Sequence, residues 1–265
     1  MEPKQHYISK FLTSSWEHRK GTLRVFNCET GRIAECAANS LFARERLWPE
    51  RYESIFNSLF ETRIANERNR LLQAEPGDVV LPWREFRAYA LLLIFHAFRL
   101  KRLRMQDPFI EKLGDLNDAQ LDTIIKNHLE DFSIVKLTSL QNLFFPDTAF
   151  FGIPILLENG EWSFGSTLPL SPSCALAVLP RGFDKKWLTD LLQNDGLLRM
   201  YSTGLPGTTR CIVPPRDVLE KGTVALAREV LSLRDENLKS GWTVRHNGAV
   251  VSLIDIIKRK ISDNN

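Results

Sequence analysis

Ala149-Phe-Phe-Gly-Ile-Pro-Ile-Leu-Leu157, then Glu158-Asn159-Gly160-Glu161, then Trp162-Ser163-Phe164 set two apolar runs about an Asn-Gly dipeptide. That arrangement is the strongest short-range signal for a β-hairpin. Pro154 has no backbone N–H to donate, which places the first run at a sheet edge or a bulge. Downstream, Ser173 to Leu179 reads as a further buried strand, followed by helices over 184–194 and 215–239 and a basic amphipathic segment from Leu253 to Ile261.

Upstream of Pro146 the pattern is mainly helical. Tyr52, Ile55, Phe56, Leu59, Phe60, Ile64 and Leu71 recur at three- and four-residue steps between Arg51 and Gln73, the period of an amphipathic helix. Glu75-Pro76-Gly77-Asp78 ends that element, and Pro82 opens a second that runs to about Met105, before Asp107-Pro108. Short helical stretches are expected at 108–114, 118–127 and 137–142. Near the amino terminus, Leu23 to Asn27 and Arg32 to Ala34 flank Glu29-Thr30-Gly31, a second hairpin signal. No repeat or Gly/Ser/Pro-rich linker divides the chain. These patterns predict one α+β domain over residues 1–265: a helical core, an N-terminal β-hairpin and a small, mostly antiparallel sheet in the second half.

The 265 residues are 43% hydrophobic and 25% charged, with a formal net charge of +3, which excludes collagen-like and disordered classes. Met1-Glu-Pro-Lys-Gln-His lacks the layout of a secretory signal. The longest apolar run, Ala88 to Phe98, holds His96 and falls well short of the roughly 20 residues of a membrane span. A cytoplasmic protein with no membrane partner is expected. Cys28, Cys36, Cys174 and Cys211 show no zinc spacing and are read as reduced thiols, although Cys28 and Cys36 flank a hairpin turn closely enough for a disulfide to be conceivable. No P-loop, dinucleotide fingerprint, His-Glu-x-x-His or calcium loop is present, so neither cofactor nor metal is expected.

Charge is concentrated between positions 84 and 104, where Arg84, Arg87, Arg99, Lys101, Arg102 and Arg104 stand against the single acid Glu85. Such a cationic stretch suits a phosphate-binding surface. It equally suits a solvated helix end whose cations offset the C-terminal partial charge.

Four pieces then stand in order. They are Gln5-His6-Tyr7-Ile8-Ser9-Lys10-Phe11-Leu12 with the hairpin from Leu23 to Gly31; Leu59-Phe60-Glu61 on the first long helix; Phe98-Arg99 through Arg104 ending the second; and Pro169-Leu170-Ser171-Pro172. Together they resemble a bacterial family of uncharacterised domains. Its members open with His-Tyr-Val-Pro-Gln-Phe-Tyr-Leu and a short hairpin, continue with a glutamate-bearing helix and an arginine-ended helix, and close on a Pro-Leu-Ser-Pro strand. Ser9 and Lys10 replace the family's Pro and Gln, and Phe151-Gly152-Ile153-Pro154 stands where the family has Ser-Asp-Asn-Pro. The resemblance implies an intracellular α+β domain and carries no reaction with it.

Among candidate functional residues His6 comes first. Imidazole is the side chain whose ordinary pKa allows acid and base roles near neutrality; the alternative is a structural ring tying the N-terminal segment to the core. Glu61, beside an apolar stripe, needs a cation or a hydrogen-bond donor, and the arginines of the second helix are its natural partners. Arg99 and Arg102 share one helix face, and Lys101 and Arg104 another. His96 reads as a core residue, and Ser171 between two prolines as a turn residue. His18, His128 and His246 have no partner evident in sequence. Trp16, Trp48 and Trp83 could stack on bases, with core packing the commoner use.

Two function classes follow. One is a nuclease-like, phosphodiester-cleaving effector of a bacterial toxin or phage-defence setting. His6 serves there as general base or acid, Arg99 and Arg102 hold phosphate, Glu61 orients one of them, and Lys10, Lys101 and Arg104 contact nucleic acid. The other is a non-catalytic module that binds RNA, DNA or a partner protein.

Overall fold

The computed structural model describes residues 4–6, 8–27, 29–45, 54, 61–73, 77–78, 117–129, 131–138, 143–193, 209–215, 243–246 and 249–252. In chain order the elements are β1 (Lys4–His6), α1 (Lys10–Thr13) with a 3-10 turn (Ser14–Trp16), β2 (Thr22–Asn27), β3 (Ile33–Ala37), β4 (Ala43–Glu45), α2 (Thr62–Gln73), β5 (Gly77–Asp78) and α3 (Asp118–Leu129). There follow β6 (Phe132–Thr138), β7 (Phe145–Pro146), β8 (Phe151–Leu156), β9 (Trp162–Ser171), β10 (Cys174–Pro180), α4 (Lys185–Gln193), β11 (Arg210–Ile212), β12 (Thr243–His246) and β13 (Ala249–Ser252).

Five antiparallel strands in the order β5-β6-β10-β9-β8 form the larger sheet, and β3-β2-β11-β7 form a second; β1 pairs with β4, and β12 with β13. The expected helical core is therefore corrected. The described residues are mostly β, 43% strand against 25% helix, with four short helices. Strand β6 was not foreseen at all, and the helix expected over 137–142 begins on its last two residues. Both faces of β6 and β10 are covered, so neither shows the polar–apolar alternation of a half-exposed strand. Lys136 also interrupts the apolar run of β6. Its stem is 4% exposed, and its Nζ donates to the Leu72 carbonyl at 2.8 Å. The segments 82–105, 108–114 and, beyond residue 215, 216–239, read as helical, and the basic amphipathic segment from Leu253 to Ile261 lie outside the described residues.

The hairpins appear where the sequence puts them. Strands β8 and β9 pair Phe151 with Thr167 through Leu156 with Trp162, and Gly160 takes the left-handed conformation at φ +84° that a three-residue hairpin loop needs. Strands β2 and β3 pair Phe26 with Ile33 and Leu23 with Cys36, while Asn27 Oδ1 accepts from the N–H groups of Glu29 and Thr30 in the turn. Among the described residues Cys36, Cys174 and Cys211 form no disulfide. Helix α3 opens on a reciprocal cap, the Gln120 N–H donating to Asn117 Oδ1 and the Asn117 N–H to Gln120 Oε1. Helix α4 opens on Asp184, whose Oδ1 accepts from Lys186 and Trp187. Among the described residues no helix is long and apolar enough to cross a membrane.

One face of the larger sheet packs Val135, Leu137, Ile153, Ala177 and Leu179 against Trp187, Leu188 and Leu191 of α4. The other face, with buried Leu168, Leu170, Cys174 and Leu176, receives α1, the 3-10 turn and α2, each of which meets β9. Trp16 is fully buried and ties this layer to the second sheet. Its ring stands edge-on to Phe145 at 5.1 Å, and its Nε1–H donates to the Leu143 carbonyl at 2.9 Å. Core packing, not base stacking, is its role.

Strand β9 turns the small residues Ser163, Gly165 and Thr167 toward α4, which leaves room for the bulk of its neighbours. A Cβ at Gly165 would lie 2.5 Å from Leu179 Cδ2 and 3.3 Å from the Val178 carbonyl oxygen, and Leu179 is fully buried. Gly165→Ala is expected to cost about 1–3 kcal/mol by overpacking, read as a lower denaturant midpoint with an unchanged slope. An unchanged midpoint would show that the core relaxes around the methyl group.

Candidate functional site

The layer over β9 joins three of the four sequence pieces singled out above. The first link is backbone. Strand β9 pairs Ser171 with Cys174 but Pro169 with Ala175, so Leu170 is the extra residue of a β-bulge and its carbonyl leaves the ladder. Leu170 is fully buried, and a buried carbonyl must find a donor. Arg68 of α2 supplies it, Nη2 donating to the Leu170 oxygen at 2.9 Å. The same guanidinium group donates to Ser15 Oγ. Ser171 is the turn residue expected, with its Oγ accepting from the Ser173 N–H at 3.3 Å.

The second link is the acid. Glu61 stands immediately before α2, half-buried, and its Oε1 accepts from Ser9 Oγ. Glu61 and Arg68 are seven residues apart, two helical turns, and share a helix face. That face laces the N-terminal segment at both ends, Ser9 to the carboxylate and Ser15 to the guanidinium. Ser9 is 2% exposed, three residues beyond His6. His6 lies on β1 opposite Ala43, half-buried, with its Nε2 fully buried. Lys10, the first residue of α1, is exposed.

The structure thus brings the segment that carries His6 and Lys10 against Glu61. Among the described residues that acid accepts from the Ser9 hydroxyl; the arginines anticipated for it lie outside them. Arg99, Arg102, Lys101, Arg104 and His96 lie outside the described residues. Among the described residues no group of His, Cys, Asp and Glu is arranged to hold a metal ion.

Cys174 lies on the same face of the sheet, and burial raises its thiol pKa against the lowering influence of Lys136 and Arg68. Burial thus favours the protonated form of this thiol. His18, without a partner in the sequence reading, has two: its Nδ1 meets the Thr22 carbonyl at 3.1 Å, and its Nε2 meets Glu35 at 3.2 Å. Arg19 and Arg24 meet the same carboxylate at 2.7 and 3.6 Å. The cross-strand position of Glu35, opposite Arg24 in the β2–β3 register, was the signal available for that cluster.

Sequence reading also missed Asp147, in the turn after β7. One oxygen, Oδ2, accepts from Thr209 Oγ1 at 2.7 Å and from the N–H groups of Thr209 and Arg210, each at 3.1 Å. The other, Oδ1, is buried with no hydrogen-bond partner among the described residues. Burial raises the carboxyl above its ordinary 3.8, outweighing those hydrogen bonds and the charge of Arg210. No protein-family model, curated protein or solved structure matches this chain.

Two outcomes are expected. Arg68→Ala leaves the Leu170 carbonyl buried without its donor and frees Ser15, and should cost about 1–3 kcal/mol; a melting temperature unchanged from the native chain would exclude the bulge contact as a structural tie. Asp147 binds its proton more tightly folded than unfolded. Its titration therefore contributes stability that is complete below its ordinary value and is lost as pH rises through the folded-state value. Asp147→Asn removes that titration, so the melting-temperature difference, native minus variant, should shrink or change sign as pH climbs from about 3 to 7. A difference that stays flat across that range would refute a raised carboxyl.

Proposed function

We propose that this chain is a nuclease-like, phosphodiester-cleaving effector, of the kind that serves in bacterial toxin or phage-defence settings, with His6 as its acid–base residue. The supporting observation is the hydrogen bond from Ser9 to Glu61, which places the acid against the segment carrying His6. In this reading the imidazole takes a proton from the attacking hydroxyl or gives one to the leaving oxygen. Arg99 and Arg102 hold the non-bridging oxygens and offset charge developing on them. Glu61 orients one of those guanidinium groups, and exposed Lys10, with Lys101 and Arg104, positions the nucleic-acid backbone. None of these steps calls on a metal ion.

The test is incubation of the purified chain with RNA and with DNA, with and without EDTA, beside His6→Ala. Cleavage that survives EDTA and is lost in the variant supports the reading. Salt-sensitive binding without cleavage refutes it in favour of a non-catalytic nucleic-acid module. Neither binding nor cleavage at low salt leaves a partner protein as the ligand.

A further inference from the structure

Ser9 opens helix α1 from the N-cap position, in extended conformation at φ −64° and ψ 134°, yet its side chain makes no capping hydrogen bond. A serine there ordinarily accepts from an N–H of the first turn. The Leu12 N–H is taken instead by the Ser9 backbone carbonyl at 3.1 Å, and the hydroxyl turns away from its own helix to donate to Glu61 Oε1. The local conformation suits a cap and the hydroxyl is used elsewhere. Burial makes that use consequential, since Ser9 is 2% exposed and a carboxylate oxygen drawn into such surroundings needs a donor. The segment is anchored again six residues on, where Ser15 receives Arg68 from the same face of α2. The carboxylate is therefore held at one end of a short, twice-tied strap that begins three residues after His6.

We infer that Ser9 is a positioning residue, its hydroxyl fixing the Glu61 carboxylate in the place from which it serves the His6 site. The role rests on the phosphodiester-cleaving reading above, and Ser9 touches no reacting atom. A misplaced group of this kind costs on the order of 10²-fold in rate. Ser9→Ala should therefore lower kcat by about that factor while KM stays within roughly two-fold. Ser9→Thr, which keeps the hydroxyl, should restore most of the rate. A tie that serves only the fold lowers the melting temperature and leaves kcat of the folded protein intact.

The experiment measures kcat, KM and melting temperature for the native chain, Ser9→Ala, Ser9→Thr, Glu61→Gln and the Ser9→Ala/Glu61→Gln pair. Loss of kcat in Ser9→Ala, rescue in Ser9→Thr, and a double variant no slower than Glu61→Gln alone support the inference. Cleavage at the native rate by Ser9→Ala, with Glu61→Gln impaired, overturns Ser9 and leaves the cleavage reading standing. Absence of cleavage by the native chain, with non-additive melting temperatures, overturns the catalytic role and leaves the pair a structural tie.

Discussion

A buried carbonyl at a β-bulge anchors the layer over the larger sheet. The bulge at Leu170 takes one residue of β9 out of register with β10 inside a buried face, where a backbone oxygen needs a donor. Arg68 supplies that donor from α2. That contact ties α2 to the sheet. With α2 placed, Glu61 two turns earlier meets Ser9, and the guanidinium group meets Ser15. The N-terminal segment is thereby fastened over β9, with His6 at its start.

The two sheets are interleaved along the chain. After β6 the chain leaves the larger sheet, contributes β7 to the smaller one, and returns at β8. Strand β11 then inserts between β7 and β2, pairing Ile212 with Phe145 on one side and with Val25 on the other. Trp16 reinforces the same junction by holding the Leu143 carbonyl and the Phe145 ring. The N-terminal hairpin is thus an integral part of a four-stranded sheet completed by residues almost two hundred positions away.

What was legible was local. Asn159-Gly160 and Glu29-Thr30-Gly31 mark turns because the backbone demands of a turn are met within a few residues, and both hairpins formed there. The strand from Cys174 and the helices from Asp118 and Lys185 fell close to their expected places, the last two beginning at caps the sequence itself contains. Strands β6 and β11 were missed because their pairing energy comes from partners distant in sequence. Strand β6 is moreover buried on both faces, so its alternation is erased, and a buried lysine divides it. The site divides in the same way. His6, Lys10 and Glu61 could be chosen by residue type and setting. Ser9 and Ser15 could not, since a serine beside a helix start reads as a cap, and only an approaching acid or guanidinium redirects it. Asp147 was hidden because the donors on it come from Thr209 and Arg210.

The amino-acid sequence by itself determined the turns, the caps and the residues with chemical capacity, because each depends on interactions within a few positions. The tertiary structure alone decided that sheets, not helices, form the core of the described residues, and that a glutamate, two serines and an arginine meet above a bulged strand. Strand pairing and the satisfaction of buried polar groups are settled between elements brought together from across the chain. No pattern within one element encodes which distant donor a freed carbonyl will find.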